Sequence, residues 1–457
     1  MSIDKSRIRS DILFAIKEPE EARRAKLGEI EKIVSQLNEM KKSEGMEFEV
    51  FVGGSLAKGT DIKGSDADIF LLFNGNFDPL GVVKGLRKIF PDGKEEYSEH
   101  PYITIERNGL SVDIVPGYKT SSPDKMKTSV DRTPLHVEFV RKKFDEEMKD
   151  EARMLKQFLK GIGAYGAESS VRGMSGYVAE LLIYHYGTFE NVLKEASKWR
   201  IPVVIGEESE RFKGANMVLI DPVDTDRNAA ANVSEENLAT FILAANLFSW
   251  ERWKDFFFPK IRYFSIPDGA VAVRFTCKKC NPEVIIPNLK RISDILKKEL
   301  EVSGFRIQYS SVFLDGNGYI LLVPETMELG DAEIHIGPPV NSRNVLSFLD
   351  KWGSGTKFGM PFVMGQRICV LRERKIRRIE EAVAEIIPRI KLSRDLDPKK
   401  ILVISGEDVG ALPEKLRNGI VFPSLGDWAN PRSGDIKRDY PEAEEGKERD
   451  EKHDHVI

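Results

Sequence analysis

The chain has 457 residues, 41% hydrophobic and 31% charged, with three cysteines and a net charge of −4. That length exceeds what a single core supports and calls for several domains. The charge-dense N-terminus does not read as a signal peptide, no run of 18 apolar residues spans a membrane, and so few thiols fit a reducing cytoplasm better than a disulfide framework. The negative charge sits at one end. From Asp435 to Ile457 nine acidic residues face five basic ones, which accounts for the whole −4 and leaves 64 of each sign elsewhere. Basic clusters at Arg372, Arg374, Lys375, Arg377 and Arg378, and at Arg389, Lys391, Arg394, Lys399 and Lys400, suit either phosphate contacts or solvated helix faces.

In chain order, residues 4 to 42 read as helix interrupted near Pro19, with Ile30, Ile33, Val34 and Leu37 at helical spacing. Strand-like runs follow at 48–52 and 66–73, then YITIE and LSVDIVP joined by Asn108-Gly109, a dipeptide that favours a two-residue hairpin turn. Val140, Phe144, Met148, Ala152, Leu155 and Leu159 form one apolar stripe and predict a single helix. A second, mainly helical region runs to about residue 258; Tyr184, His185 and Tyr186 read there as packing residues, and Trp250 and Trp253 as part of an interdomain core rather than a base-stacking platform. Beyond it, strands VAVRFTC, SSVFLD and GYILLVP mix with a helix near 287–300 and another at 342–352, followed by more strands and a basic helix. A helix flanked by pairs of strands fits a split βαβ unit. Cys277 and Cys280 read as two thiols of a strand-turn, because no second CxxC or CxxH follows to complete a zinc site. The charged last residues have too few apolar side chains to order themselves.

The chemistry concentrates in GGSLAKGTDIKGSDADIFLLF, residues 53–73. Gly53 and Gly54 let backbone N–H groups approach an anion, and Ser55 and Lys58 open a short helix whose start favours phosphate. On the following strand Asp66 and Asp68 share a face, and Ile69, Leu71 and Phe73 face a core. Two carboxylates on one face repel unless a cation lies between them, and a hard divalent ion such as Mg²⁺ suits carboxylate and phosphate oxygens. Leu110, Val112 and Ile114 share the apolar face of the hairpin strand, which puts Asp113 on the other face and, with Asn108-Gly109 as the turn, opposite Thr104. Three such carboxylates fit two-metal phosphoryl transfer, whereas a DxD alone also occurs as solvent-facing strand residues or turn caps.

With these residues in place, the sequence resembles the polymerase β-type nucleotidyltransferase superfamily and, within it, the archaeal-type (class I) CCA-adding enzymes, over most of residues 1 to about 420. The resemblance is carried further by SVDRTPLH (129–136), YGAESSVRGMSGYVAELLIYHYGTF (165–189), DPVDTDRNAAANVS (221–234) and HIGPPV (335–340). Thr225 and Asp226 depart from it, standing where the family more often has proline and a basic residue.

The resemblance implies an α+β fold: a catalytic head with a mixed sheet and N-terminal helices (1–145), a helical central domain (146–258), a C-terminal α+β tRNA-binding region (259–430) and a charged tail (431–457). It implies catalysis and metal binding by Asp66, Asp68 and Asp113 with Mg²⁺. Ser55, Lys58, Thr133, His136, Lys156 and Tyr165 would be nucleotide contacts, and Arg227 would recognise the incoming base. Of these, Thr133 and His136 also suit helix capping, Lys156 a solvated helix face, Tyr165 core packing, and Arg227 a turn pair with Asp224. The implied partners are CTP, ATP and the tRNA acceptor stem and 3′ end, in the cytoplasm and with no membrane; a homodimer is allowed for. A poly(A) polymerase or oligoadenylate synthetase would share the carboxylates but add only A, and a non-catalytic RNA-binding protein could keep the fold.

Overall fold

The computed structural model describes residues 3–97, 100–120, 126–168, 171–206, 210–259, 269–278, 280–405 and 412. Two compact units part at residue 260. The tail expected at 431–457 lies outside the described residues.

The first unit opens with α1 (Lys5–Ile16), capped by Asp4 on the Arg7 N–H, and α2 (Glu20–Ser43), which starts behind Pro19. The strands β1 (Phe48–Val52), β2 (Ala67–Phe73), β3 (Lys94–Tyr97), β4 (Pro101–Arg107) and β5 (Leu110–Tyr118) form one sheet in the order β1-β2-β5-β4-β3. Every neighbouring pair is antiparallel except β2 and β5, which run parallel. Asn108 and Gly109 both take positive φ, 51° and 77°, as a type I′ hairpin turn requires. The five-residue α3 (Gly54–Lys58) follows β1, and α4 (Pro79–Ile89) follows β2. Ile30, Ile33 and Leu37 of α2 and Val82, Val83 and Leu86 of α4 bury against Ile69, Leu71, Ile103, Val112 and Ile114. Phe70 and Leu72 are also buried, so the strand is covered on both faces below Asp68.

The single helix predicted over Val140 to Leu159 is two: α5 (Thr133–Lys143) and α6 (Glu146–Gly161). Phe144 is extended, and the Asp145 carboxylate accepts from the Met148 N–H to start the second helix. α6 packs with α7 (Gly176–Tyr186), α8 (Phe189–Ala196), α9 (Glu235–Leu247) and α10 (Trp253–Phe257) around Phe158, Phe189, Phe241, Phe256 and Phe257. Ile12 and Ile16 of α1 belong to this second core and not to the sheet core of the head. Tyr184 and Tyr186 pack here as expected, while His185 is exposed, and Trp250 and Trp253, expected in an interdomain core, pack in this helical core. The sequence reading missed a small sheet, β6 (Val203–Ile205), β7 (Met217–Asp221) and β8 (Asp224–Asn228), in which β7 and β8 form a hairpin.

The second unit is built on β9 (Val271–Cys277), α11 (Pro282–Val302), β10 (Ile307–Asp315) and β11 (Asn317–Pro324). β12 (Ala332–Pro339), α12 (Val345–Trp352), β13 (Phe362–Met364) and β14 (Arg367–Glu373) follow, then α13 (Ile379–Ile386) and β15 (Leu396–Ser405). Its main sheet is antiparallel, in the order β10-β11-β9-β15. β9 and β10 are therefore parallel with β11 between them, and β11 and β15 are parallel with β9 between them. These are two split βαβ units, with α11 and α13 as crossovers on one face. β12, α12, β13 and β14 are inserted between them as a three-stranded sheet with its own helix. His335 of β12 stacks on Phe348, and a Cβ on Gly337 would lie 2.5 Å from that ring, so HIGPPV is where the small sheet meets α12.

The expected basic helix is not basic at its start. α13 opens with Glu380 and Glu381, and the arginine run lies on β14 and the turn after it. Arg372 and Arg374 share Glu333, and Arg374 also donates to the carbonyls of Ser303, Gly330 and Ala332, so these two staple the fold. Cys277 ends β9 and Cys280 is exposed; burial and the neighbouring Cys280 push the Cys277 thiol up to about 11. No helix among the described residues is long and apolar enough to cross a membrane.

Candidate active site

The site grows from the parallel pair. Asp68 and Asp113 are register partners on β2 and β5, and Thr104 stands opposite Asp113 on β4, as the hairpin spacing requires. The Thr104 hydroxyl donates to Asp113 Oδ1 at 2.6 Å. Asp66 precedes the first residue of β2 and is exposed. Among the described residues no donor hydrogen-bonds to the carboxylate of Asp68. Burial, then Asp113, then Asp66 push that carboxylate up to about 6, with Lys58 pulling the other way. Asp113 is raised as well, by burial foremost, against the Thr104 hydrogen bond.

Both glycines before α3 are required by space. A Cβ on Gly53 would lie 2.4 Å from the Phe70 ring, and one on Gly54, whose φ is +65°, would lie 1.8 Å from Asp68 Oδ2. The backbone of the Gly-Gly turn thus lies against the acid. Ser55 and Lys58 follow on α3, and Thr133 opens α5 beside Gly53.

Around these stand two buried acids that the sequence reading did not single out. Glu180 of α7 takes Lys58 Nζ at 2.8 Å, Lys156 Nζ at 2.7 Å and the Thr60 hydroxyl at 2.5 Å. Lys156 also donates to the Thr60 carbonyl and hydroxyl, so its three N–H groups are spent inside the protein and it is 1% exposed. Burial would raise Glu180, but Lys156 and Lys58 outweigh it and hold the carboxyl at about 2. Arg153 of α6 completes the clasp on this loop, donating to the carbonyls of Asp61 and Gly59.

Asp221, at the end of β7, takes His136 Nε2 at 2.9 Å and Arg227 Nη1 at 2.8 Å on Oδ2, and the Tyr177 hydroxyl at 2.9 Å and the Val223 N–H at 3.1 Å on Oδ1. Burial would raise it, but the hydrogen bond and charge of His136, with the Val223 and Tyr177 hydrogen bonds, prevail and hold it at about 2. Burial lowers His136. Its ring stacks on Tyr177 at 3.8 Å, and Lys58 Nζ lies 4.9 Å from the same Tyr177 ring.

The structure thus brings Asp68, Asp113, Lys58, Lys156, His136 and Arg227 into one connected network, with Asp66 at its edge. Tyr165 lies against Gly176, the first residue of α7, with its hydroxyl raised by burial. Arg227 pairs with Asp221 and not with Asp224, which instead holds Arg132 at 2.8 Å. Asp226, one of the two departures from the family pattern, pairs with Arg211. A signal for Glu180 was present: α7 is apolar around its whole circumference, so its one acid had to be buried and paired.

Three family models match in succession: a nucleotidyltransferase domain over residues 27–136, the second domain of tRNA nucleotidyltransferase over 150–258, and the C-terminal domain of the CCA-adding enzyme over 269–396. The CCA-adding enzyme of Thermoplasma acidophilum is 34% identical, covering 83% of this chain and 90% of its own length. That of Pyrobaculum islandicum is 37% identical over 77% and 86%. The chain belongs to the family of CCA-adding enzymes. Among solved structures, CdnC of E. coli MS115-1 with ATP matches at a TM-score of 0.42 and 18% identity, over 56% of this chain and 98% of that one, a likeness too loose to carry an argument.

CCA-adding enzymes are nucleotidyltransferases, which generally use divalent metal ions. Among the described residues no three His, Cys, Asp or Glu side chains converge as a ready-made ligand cluster. The donor set nonetheless fits a hard cation: two adjacent carboxylates raised by burial and by neighbouring acids, one of them without a donor, beside an exposed third.

Proposed function

We propose that this chain adds C, C and A to the 3′ end of tRNA from CTP and ATP, without a nucleic-acid template and with release of pyrophosphate. The observation that carries the reading is the pairing of Asp68 with Asp113 on parallel strands against the Gly53-Gly54 turn, in a chain that matches CCA-adding enzymes from head to C-terminal region.

Asp66, Asp68 and Asp113 would hold two Mg²⁺ ions, which when bound supply a lowered pKa for the attacking 3′-hydroxyl and positive charge for the triphosphate. The protein's own groups do the rest. Ser55, the Gly54 backbone and Lys58 receive the phosphates. Lys156, fully enclosed, acts beneath them by holding Glu180 and so fixing Lys58. Thr133 and His136, on the first turn of α5, and Tyr165 bound the sugar side. Arg227 reads the base edge through a guanidinium fork that donates in fixed directions. The second unit grips the acceptor stem through backbone and shape, because an A-form major groove is too narrow to read. The setting is the cytoplasm.

The test is incubation with tRNA lacking its 3′ end and each labelled nucleotide, alone and together, with and without Mg²⁺. The expected product is C, C, then A, followed by arrest. Long A runs on any RNA would replace this reading with a poly(A) polymerase, and binding without Mg²⁺-dependent turnover would replace it with an RNA-binding protein.

A further inference from the structure

Asp221 has no exposure, and each of its two carboxylate oxygens takes two donors. Arg227, by contrast, keeps a third of its side chain exposed. One end of its guanidinium is tied to Asp221, and among the described residues it has no other hydrogen-bond partner. Arg227 lines a cavity of about 600 Å³ with Met126, Arg132, Phe212 and Asn232. The same Asp221 oxygen fixes His136, whose ring stacks on Tyr177. With Nε2 donating to a carboxylate, neutral His136 keeps its proton on that nitrogen and leaves Nδ1 as an acceptor.

We infer that Asp221 is a positioning residue for nucleotide choice: it aims Arg227 on the wall that meets the incoming base. The inference rests on the base-reading role proposed above for Arg227. The physical reason is that C and A share an edge with an acceptor nitrogen beside an exocyclic amino group, whereas U and G present an N–H beside a carbonyl. A guanidinium held in one direction rewards the first pattern; a free one, able to rotate, meets either. A long arginine side chain left unanchored has several rotamers, so the selectivity depends on the anchor as much as on the arginine.

The test measures incorporation of all four nucleotides onto tRNAs ending at the discriminator base, after C and after CC. The proteins compared are the wild type, Asp221→Asn, Arg227→Gln and the double variant, with tRNA affinity measured alongside. The expected result is that Asp221→Asn lowers the preference for C and A over U and G by about 10- to 100-fold, with tRNA affinity unchanged. Arg227→Gln should give the same loss, and the double variant no more than Arg227→Gln alone, because two residues acting through one contact are not additive. A residue with a merely structural role would slow all four nucleotides alike and leave the preference intact; that result overturns the proposal. So does a double variant that loses preference beyond Arg227→Gln. Should Asp221→Asn fail to fold with its arginine left unpaired, the double variant, which removes both partners, still gives the comparison with Arg227→Gln. Wild-type enzyme that adds only A would instead overturn the CCA reading. The tie between Asp221 and preference is read against whichever nucleotide the wild type favours, so the two failures are distinct.

Discussion

Asp68 and Asp113 of the head are half-buried and Glu180 and Asp221 of the helical region fully so, and the protein answers their charges differently. Glu180 and Asp221 are surrounded by lysines, a histidine, an arginine and hydroxyls, and both stay ionised far below the usual carboxylate range. Asp68 is given another acid as its register partner and is pushed up to about 6. The first kind of carboxylate holds the scaffold together. The second stores repulsion that only a cation from outside relieves, and that is where chemistry belongs.

The sharpest way to break this contrast is to remove one acid of each kind. Asp113→Ala should lower nucleotide addition by about 10³-fold or more, because preorganised charge stabilisation is lost. More than about a tenth of the wild-type rate, only ~1.4 kcal/mol, would end the three-carboxylate model. The same variant should leave the metal-free protein as thermally stable as wild type or more so, since a repulsion has gone. Glu180→Gln should do the reverse to the fold. It strands Lys156 in the interior without its counter-charge, at a cost of about 3–5 kcal/mol in urea unfolding. A loss below ~1 kcal/mol would show that water reaches Lys156.

The pH dependence sharpens the same comparison. Asp68 binds its proton more tightly in the folded chain than in the unfolded one, so its contribution to stability falls as pH rises from about 4 to about 6. Glu180 and Asp221 have the opposite sign: their contribution is complete above the unfolded carboxylate value of about 4 and is lost as pH falls toward 2. Between pH 4 and 6 the thermal midpoint of metal-free protein should therefore fall more, or rise less, with increasing pH in the wild type than in Asp68→Asn. Identical profiles would remove Asp68 from the account. The smallest expected effect is a rise of a few degrees in the midpoint on adding Mg²⁺ at neutral pH, present in the wild type and absent in Asp68→Asn. Calcium or Mg²⁺ acting equally on both would point to sites elsewhere.

Much of the head was legible in the sequence because alternation and Asn108-Gly109 fix register: Thr104 opposite Asp113 follows from counting back across a two-residue turn. The join between α5 and α6 was not, because the apolar spacing from Val140 to Leu159 continues through the break, and only the Asp145 cap marks it. β8 escaped notice because Asp224–Asn228 is a polar edge of a three-stranded sheet. The candidate site was readable where chemistry repeats a motif, as at Asp66 and Asp68, and opaque where it depends on partners distant in sequence. Nothing near Lys156 in the chain says that its ammonium will meet Thr60 and Glu180.

A growing chain acquires Asp66 and Asp68 well before it acquires Asp113. Parallel neighbours cannot be joined by a turn, so roughly 40 residues must be folded and closed into a loop before β5 can lie beside β2. The hairpin of β4 and β5, closed by its two-residue turn, forms locally and fast, and its arrival beside β2 is the slow, non-local event. The repulsion between acids is therefore met last, when the hydrophobic face of the sheet is already available to offset it. A pulse of hydrogen exchange during refolding should find the amides that pair β4 with β5 protected before those that pair β2 with β5, and the seam between Asp68 and Asp113 should be the final part of the sheet to close.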